Sequence, residues 1–361
     1  MIHAVILAGG WGRRFWPKSR KRLPKQLLCI GKKCSPTQDL FNIIKTQIPK
    51  ERIWVVTNKI YAHSLRKQLP ALPGKNFLVE PLVKNTAAAV GLASVIIKKS
   101  DPEAVTWVLS SDQMLGQKSR FLKAMKEASM KAEEADVLVT IGIRPNRAAQ
   151  EFGYLKITQN AKRKMQNEKA YKVEKFIEKP TLPKAKMYVK SKRYLWNSGI
   201  FVWRVSSILK AIKKYLPQAY CGLQRIGEAK GLPQYKSRLL KEYGRFRNVS
   251  IDYGVMEKAQ NIYAVVGDFF LQDLGSWSNL SQDLFVRDSQ GNIIQGLHKG
   301  INTSDSIIFS ENKHLIATLG VRDLIVVHTP GATLVCRKEN AQEIKKLTEV
   351  LEKDKRLRKY L

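Results

Sequence analysis

Three glycines, Gly9, Gly10 and Gly12, stand directly after the short apolar run Ile2 to Leu7, and seven basic residues follow between Arg13 and Lys25. Such a stretch suits a polyphosphate. Glycine lets the chain turn tightly and lets backbone N–H groups approach an anion, while Arg and Lys neutralise charge that an apolar loop could not hold. Neither of two common phosphate loops is present. No Gly-x-x-x-x-Gly-Lys-Ser/Thr follows Leu7, and Phe15 stands where the dinucleotide fingerprint needs a third glycine. A plain strand-to-helix turn would not require this density of cations.

Two carboxylates widely separated in the chain, Asp112 and Asp273, each sit just past an apolar run that reads as a strand. An isolated Asp is often a helix cap, and Asp273 or Ser276 is also placed to cap the turn that follows. The five histidines are scattered without a partner pattern. The four cysteines, Cys29, Cys34, Cys221 and Cys336, form no Cys-x-x-Cys pair, which points to reduced thiols rather than a disulfide framework.

The elements that must position these groups alternate. Strands are expected at Arg52 to Thr57, Phe77 to Val79, Ala104 to Leu109 and Val137 to Ile141. Helices are expected from Ser35 to Ile48, Tyr61 to Leu69, Thr86 to Lys98 and Arg120 to Glu134. Such alternation implies a mostly parallel sheet covered on both faces, with ligands at the carboxyl ends of the strands, where the glycine loop and Asp112 both fall. From Phe152 to Arg204 the pattern turns strand-rich and reads as an α+β insertion, a lid or second subsite. Past Phe285, short strands separated by Gly, Asn and Asp turns precede a charged helix at Asn340 to Leu357. The expected division is a catalytic domain over 1–287 and a small β domain over 288–361.

Sixty-four lysines and arginines against 30 acids give a formal net charge of +34, which raises nucleic acid as a partner. The lysines are spread over most of the expected helices, with no aromatic-interleaved basic motif, so a generally basic surface is expected and no specific nucleic acid. No apolar run is long enough to span a bilayer, and Met1 to Leu7 leads straight into a polar loop, so a soluble cytoplasmic protein is expected.

The order of motifs resembles the sugar-phosphate nucleotidyltransferases, most closely their mannose-1-phosphate guanylyltransferase branch. The pieces are Leu7-Ala-Gly-Gly-Trp-Gly-Arg-Arg-Phe-Trp-Pro, Pro24-Lys-Gln, Glu80-Pro with Lys84-Asn-Thr-Ala-Ala-Ala, Ser110-Ser-Asp-Gln, Phe152-Gly-Tyr, Phe176-Ile-Glu-Lys-Pro, Trp196-Asn-Ser-Gly-Ile-Phe, Ser250-Ile-Asp-Tyr-Gly-Val-Met-Glu and Asp273-Leu-Gly-Ser-Trp. The resemblance implies a Rossmann-like α/β fold of the nucleotide-diphospho-sugar transferase kind, followed by an abbreviated left-handed β-helix. It implies transfer of a guanylyl group from GTP to mannose 1-phosphate, with Mg²⁺ or Mn²⁺, in a homodimer formed through the carboxyl-terminal region. Another hexose 1-phosphate or nucleotide, or a catalytically weak regulatory member, is the alternative.

Roles follow from the same resemblance. Leu7, Ala8, Gly9, Gly10, Gly12 and Arg13 wrap the triphosphate, with Arg14 and Lys25 holding the phosphates where charge builds up as pyrophosphate leaves. Glu80, Asn85 and Thr86 meet the base. Asp112 and Asp273 hold the metal, with Asp112 also counted as catalytic. Gly153 and Tyr154 form a wall for the sugar. Glu178 and Asn197 take its hydroxyls beside Gly199, Lys179 takes its phosphate, and Asp252 is a further candidate. Lys18, Arg20, Lys21 and Arg22 are left to a mobile, solvated flap. One departure stands out: the family commonly has Pro-Ala-Asp-His where this chain has Ser110-Ser-Asp-Gln113, which puts catalytic rate in doubt more than binding.

Overall fold

A computed structural model describes residues 1–361 except 32, 151, 159–169 and 281–284. Its centre is a nine-stranded mixed sheet. Before Phe285 the described strands are β1 Ile2–Ala8, β2 Ile53–Asn58, β3 Phe77–Glu80, β4 Val105–Ser110, β5 Gln113–Leu115, β6 Leu138–Ile143, β7 Gly153–Ile157, β8 Ala170–Ile177, β9 Tyr194–Arg204, β10 Ile262–Gly267 and β11 Leu271–Asp273. The sheet order is β3-β2-β1-β4-β9-β6-β10-β8-β7. β3, β2, β1 and β4 are mutually parallel, so the carboxyl ends of β1 and β4 open on the same side.

The expected insertion is not an appendage. β9 lies within the central sheet, antiparallel to both β4 and β6, and its first half also pairs with β7. β7, β8 and β9 therefore extend the sheet instead of covering it. The physical reason is composition: β9 is buried along nearly its whole length, and a strand that is apolar on both faces needs neighbours on both edges and helices above and below.

Helices cover the two faces. α1 (Pro36–Ile44), α2 (Lys59–Gln68) and α4 (Lys118–Glu134) pack one apolar cluster, while α3 (Asn85–Ser100), α6 (Val205–Tyr215), α7 (Pro217–Ala229) and α8 (Tyr235–Arg245) pack another; α5 (Leu182–Ser191) covers a small satellite core. The start of α1 follows its sequence signature. Ser35 accepts from the backbone of Gln38, whose side chain returns to Ser35, closing a capping box. The helix ends at Ile44, one turn before the expected Ile48.

After Phe285 the chain coils. β12 (Ile293–Gln295), β14 (Ile307–Ser310) and β16 (Leu324–Thr329) stack in parallel, as do β13 (His298–Ile301) and β15 (Ile316–Leu319), and Ser304 bridges Arg322 on a third side. Stacked parallel rungs are the signature of a β-helix. β17 (Ala332–Arg337) then returns antiparallel to β16, and α9 (Ile344–Lys353) follows. Isoleucines 293, 307 and 325 share one register and fill the inside of the coil. That core is continuous with Phe15, Trp16 and Trp277, so the coil is joined to the glycine loop by a single apolar cluster.

Candidate active site

β1 delivers the glycine loop, which is tied down from several directions. Gln26 donates to the carbonyl of Gly10 at 2.8 Å, Ser19 to that of Gly12 at 2.7 Å and Asn58 to that of Gly9 at 3.3 Å. Gly12 has φ +72°, and a Cβ there would lie 2.5 to 2.8 Å from the Lys25 side chain. Only glycine both adopts that backbone and leaves Lys25 its path.

The 310 turn Lys25–Leu27 presents Lys25, which is only 7% exposed. Its ammonium reaches Asp112 Oδ2 at 2.8 Å, Asp273 Oδ1 at 3.3 Å and the Leu274 carbonyl at 2.6 Å. A short ribbon brings the two carboxylates together. β5 and β11 pair antiparallel with Asp273 opposite Gln113, and Leu274 N–H donates to the Asp112 carbonyl. No side-chain cap bond is made by Ser276 to the turn Trp277–Asn279, so capping does not account for this loop.

The charges are unequal. Burial pushes Asp112 up, but Lys25 and a hydrogen bond from Ser110 outweigh it and hold this carboxyl below its usual range. Asp273 is pushed up by burial, which Lys25 only partly offsets, and the nearby Asp112 adds to the rise. Burial likewise lowers Lys25, and its two acid partners more than restore it. One ammonium thus serves two carboxylates beside the glycine loop.

A cleft of about 440 Å³ opens next to this centre, lined by Leu7, Ala8, Gly9, Gly10, Glu80, Asn85, Thr86 and Asp112. Val56, Asn58, Val83, Ala89, Ser110 and Asn248 complete its wall; none of these six was assigned a role from sequence, although Ala89 and Ser110 lie in the quoted motifs and Asn58 ends β2. Glu80 is 7% exposed and accepts from Tyr243 at 3.3 Å; burial pushes its carboxyl up to about 7. Asn85 adopts φ +66° and accepts from the Thr86 N–H, while Thr86 Oγ1 accepts from Ile251 N–H at 2.8 Å.

Gly12, Arg13 and Arg14 do not line this cleft. Arg13 stacks over Trp11 and pairs with Glu352 at 3.0 Å, and Arg14 donates to Gln342 Oε1 at 2.6 Å. The expected solvated flap is likewise fastened. Lys18 pairs with Glu311, Lys21 with Glu352, and Arg20 donates to the Tyr360 carbonyl and to Thr329. Its acidic and carbonyl partners come from the carboxyl-terminal coil and tail, more than 290 residues away, and cover the cations; only Arg22 remains exposed.

The expected sugar residues gather at the adjoining end of β7, β8 and β9. Gly153 sits opposite Asn197, and a Cβ on it would lie 2.5 Å from Glu178 Oε2. That oxygen is buried and has no hydrogen-bond partner among the described residues. Burial, then the nearby Asp252, pushes Glu178 up to about 7, while Lys179 at 3.5 Å pulls it down. Asn197 is buried and already engaged, donating to Asp252 Oδ1 at 3.1 Å and accepting from Thr140 at 2.9 Å. Asp252 is pushed up by burial. Glu257, which ends the quoted Ser250 motif but was assigned no role from sequence, accepts from the Glu178 backbone.

Tyr154 points elsewhere. Neighbouring residues of a strand face opposite sides, so with Gly153 toward Glu178 the Tyr154 ring enters the satellite core, fully buried, where its hydroxyl accepts from Ala149 N–H at 3.0 Å. Its side chain forms no wall of the sugar end. Gln113 joins the two halves: its amide donates to the Ser198 carbonyl at 2.6 Å, beside Gly199.

The nucleotidyl transferase family matches residues 3–282, and a mannose-phosphate isomerase/GMP-like β-helix domain matches residues 288–351. A mannose-1-phosphate guanylyltransferase of Salmonella muenchen is 33% identical over 98% of this chain and 74% of its own length, and one of Escherichia coli is 32% identical with the same coverage. A crystal structure from Thermus thermophilus, described as a mannose-1-phosphate geranyltransferase, superposes with TM-score 0.85 at 29% identity, covering 97% of this chain and 99% of the other. The chain belongs to the nucleotidyl transferase family and is a nucleotidyltransferase built like the mannose-1-phosphate guanylyltransferases.

Proposed function

We propose that the chain transfers the guanylyl group of GTP to α-D-mannose 1-phosphate, releasing pyrophosphate and forming GDP-mannose. The observation that carries this reading is the ammonium of Lys25 held between Asp112 and Asp273 at the mouth of a glycine loop. Leu7 to Gly10 offer backbone N–H groups to the triphosphate in the cleft, and Lys25, with Arg14 reaching in from beside the cleft, meets the charge that grows on the leaving pyrophosphate. The nucleophile is a phosphate oxygen of the sugar phosphate. It is already ionised at neutral pH, so no side chain has to remove a proton. In-line attack on the α-phosphorus leaves the sugar phosphate joined to the guanylyl group.

Two carboxylates sharing one lysine fit a hard divalent cation such as Mg²⁺ or Mn²⁺, which takes oxygen ligands and commonly one or two carboxylates plus substrate phosphates. Asp112 and Asp273 would hold it, and when bound it supplies positive charge to the reacting phosphates. Guanine offers adjacent N–H donors on one edge, and the Glu80 carboxylate in the cleft is a matching acceptor. Asn85 and Thr86 flank it. The Glu178 oxygen that has no partner among the described residues is the acceptor for a sugar hydroxyl, with Lys179 for the sugar's phosphate.

The same reading places the enzyme in the cytoplasm, where cysteines that form no Cys-x-x-Cys pair stay reduced; no described helix is long and apolar enough to cross a membrane. It also makes the enzyme a homodimer. Leu297, Leu315, and Ile301 beside Leu319 are exposed on the coil and would be covered there. Sedimentation of the wild type against Leu319→Glu reads this, a dimer weakened by the substitution being expected.

Pyrophosphate release with GTP, ATP, UTP and dTTP against several hexose 1-phosphates tests the activity. Turnover should be fastest with GTP and mannose 1-phosphate; preference for another pair would reassign the substrates, and no turnover with any pair would sink the reading.

A further inference from the structure

We propose that Gln342, in the carboxyl-terminal part of the chain, is a positioning residue for Arg14 in the nucleotide site. The inference rests on the reading above, in which Arg14 meets the nucleotide's phosphates.

Gln342 ends the 310 turn Lys338–Gln342 between β17 and α9. Its Oε1 accepts from Arg14 at 2.6 Å, and its Nε2 donates to Ser276 Oγ at 3.2 Å. The direction of the amide is forced, because a guanidinium has only donors and so takes the oxygen. Ser276 is fully buried, bonded to Ser278 and Asn279, and lies three residues after Asp273. One amide thus connects the phosphate loop to the loop that carries the second carboxylate.

The backbones that carry the three groups are fixed together. Arg14 precedes Phe15, Ser276 precedes Trp277, and Gln342 follows Ala341, and these three neighbours belong to one buried apolar cluster. The Phe15 and Trp277 rings lie 4.9 Å apart. With all three anchor points held, the Gln342 amide sets where the long Arg14 side chain ends. Through Gln342 and Ser276, Arg14 is tied to the loop that carries Asp273, so the group being aimed sits beside the site where phosphates and carboxylates meet. An arginine that must be ordered during binding holds its ligand less tightly than one ordered beforehand.

The test compares wild type, Gln342→Ala, Gln342→Glu, Arg14→Ala and the double variant in the full chain. KM and kcat are read with GTP and mannose 1-phosphate, GTP affinity by calorimetry, and melting temperature alongside. Gln342→Ala should raise the KM for GTP and weaken GTP binding by about tenfold. The KM for mannose 1-phosphate should stay within about twofold and the melting temperature should stay unchanged. Gln342→Glu, which keeps an acceptor for Arg14, should recover most of the loss, and Gln342→Ala should add nothing in the Arg14→Ala background. Equal GTP affinity in wild type and Gln342→Ala, additive losses in the double variant, or no GTP binding by any variant would overturn the proposal. A wild type that binds GTP but does not turn over mannose 1-phosphate would instead count against the substrate assignment, while the calorimetric comparison would still decide the role of Gln342.

Discussion

Lys25 and Asp112 form an ion pair at 2.8 Å beside the glycine loop, and the same ammonium reaches Asp273 at 3.3 Å. Three charges that are remote in sequence thus act as one unit. It is set up by the β5–β11 ribbon on one side and by Gly12, which leaves room for the lysine, on the other.

Replacing Lys25 with Met removes the shared cation. Catalysis should fall by roughly 10² to 10³, the usual loss when a group facing developing charge is deleted. Stability should change with pH in a defined sense. Asp112, held low by Lys25, contributes stability above its unfolded value, and this is lost as pH falls through its folded value. In Lys25→Met that contribution is gone and the two carboxylates repel. The variant's melting temperature should therefore lie further below wild type at pH 7.5 than at pH 5, where the acids can take up protons. Scanning calorimetry at the two values reads the gap.

Glu80, with its carboxyl pushed up to about 7, binds a proton in the folded state between pH 4.5 and 7 that the unfolded chain has released. Its contribution to stability is thus present at low pH and declines as pH rises through about 7. Glu80→Gln should flatten part of the decline in melting temperature between pH 5 and 7.5. If the ionised carboxylate accepts from guanine, the wild-type KM for GTP should fall as pH rises through 7. Glu80→Gln should raise that KM about tenfold and remove the pH trend.

Tyr154→Phe separates packing from sugar contact. The ring stays in its core, but the Ala149 N–H loses its acceptor, so unfolding free energy should drop by about 1 to 3 kcal/mol. The KM for the sugar phosphate should remain within twofold, as measured by denaturant unfolding and steady-state kinetics. A large rise in that KM at unchanged stability would return Tyr154 to the site.

Gln113 stands where the family commonly has histidine, and its amide donates to the Ser198 carbonyl. An imidazole N–H can make the same bond. Gln113→His should therefore keep kcat within about threefold. Gln113→Ala should cost more, about tenfold, by loosening the Ser198–Gly199 turn from Asp112. Comparing the two substitutions in one assay checks this.

Much of the nucleotide half was legible because its residues sit at strand ends. Gly9, Glu80 and Asp112 each follow or end an apolar run, and a parallel sheet brings such ends to one side. The Asp273 side of the site was reached through the motif order, since nothing local announces that β11 pairs with β5. The clasp on the loop was not legible at all. Arg13 to Glu352, Arg14 to Gln342 and Trp16 to the Tyr360 carbonyl join residues more than 300 positions apart, and surface-type residues in the tail read as solvated until the coil folds back. The facing of Tyr154 was hidden for a different reason: alternation tells which residues share a face, and only sheet placement tells which face meets the ligand. The strand β13 escaped because His298-Lys-Gly-Ile lacks an alternating apolar pattern and is held by its rung neighbours.

The most direct measurement follows the phosphorus atoms. With GTP labelled at the α-phosphorus and unlabelled mannose 1-phosphate, the label should appear in the nucleotide sugar in one-to-one ratio with pyrophosphate, while label at the γ-phosphorus should leave in pyrophosphate alone. Label from the γ-position in the sugar, or α-label recovered as free GMP without nucleotide sugar, would contradict guanylyl transfer by this site.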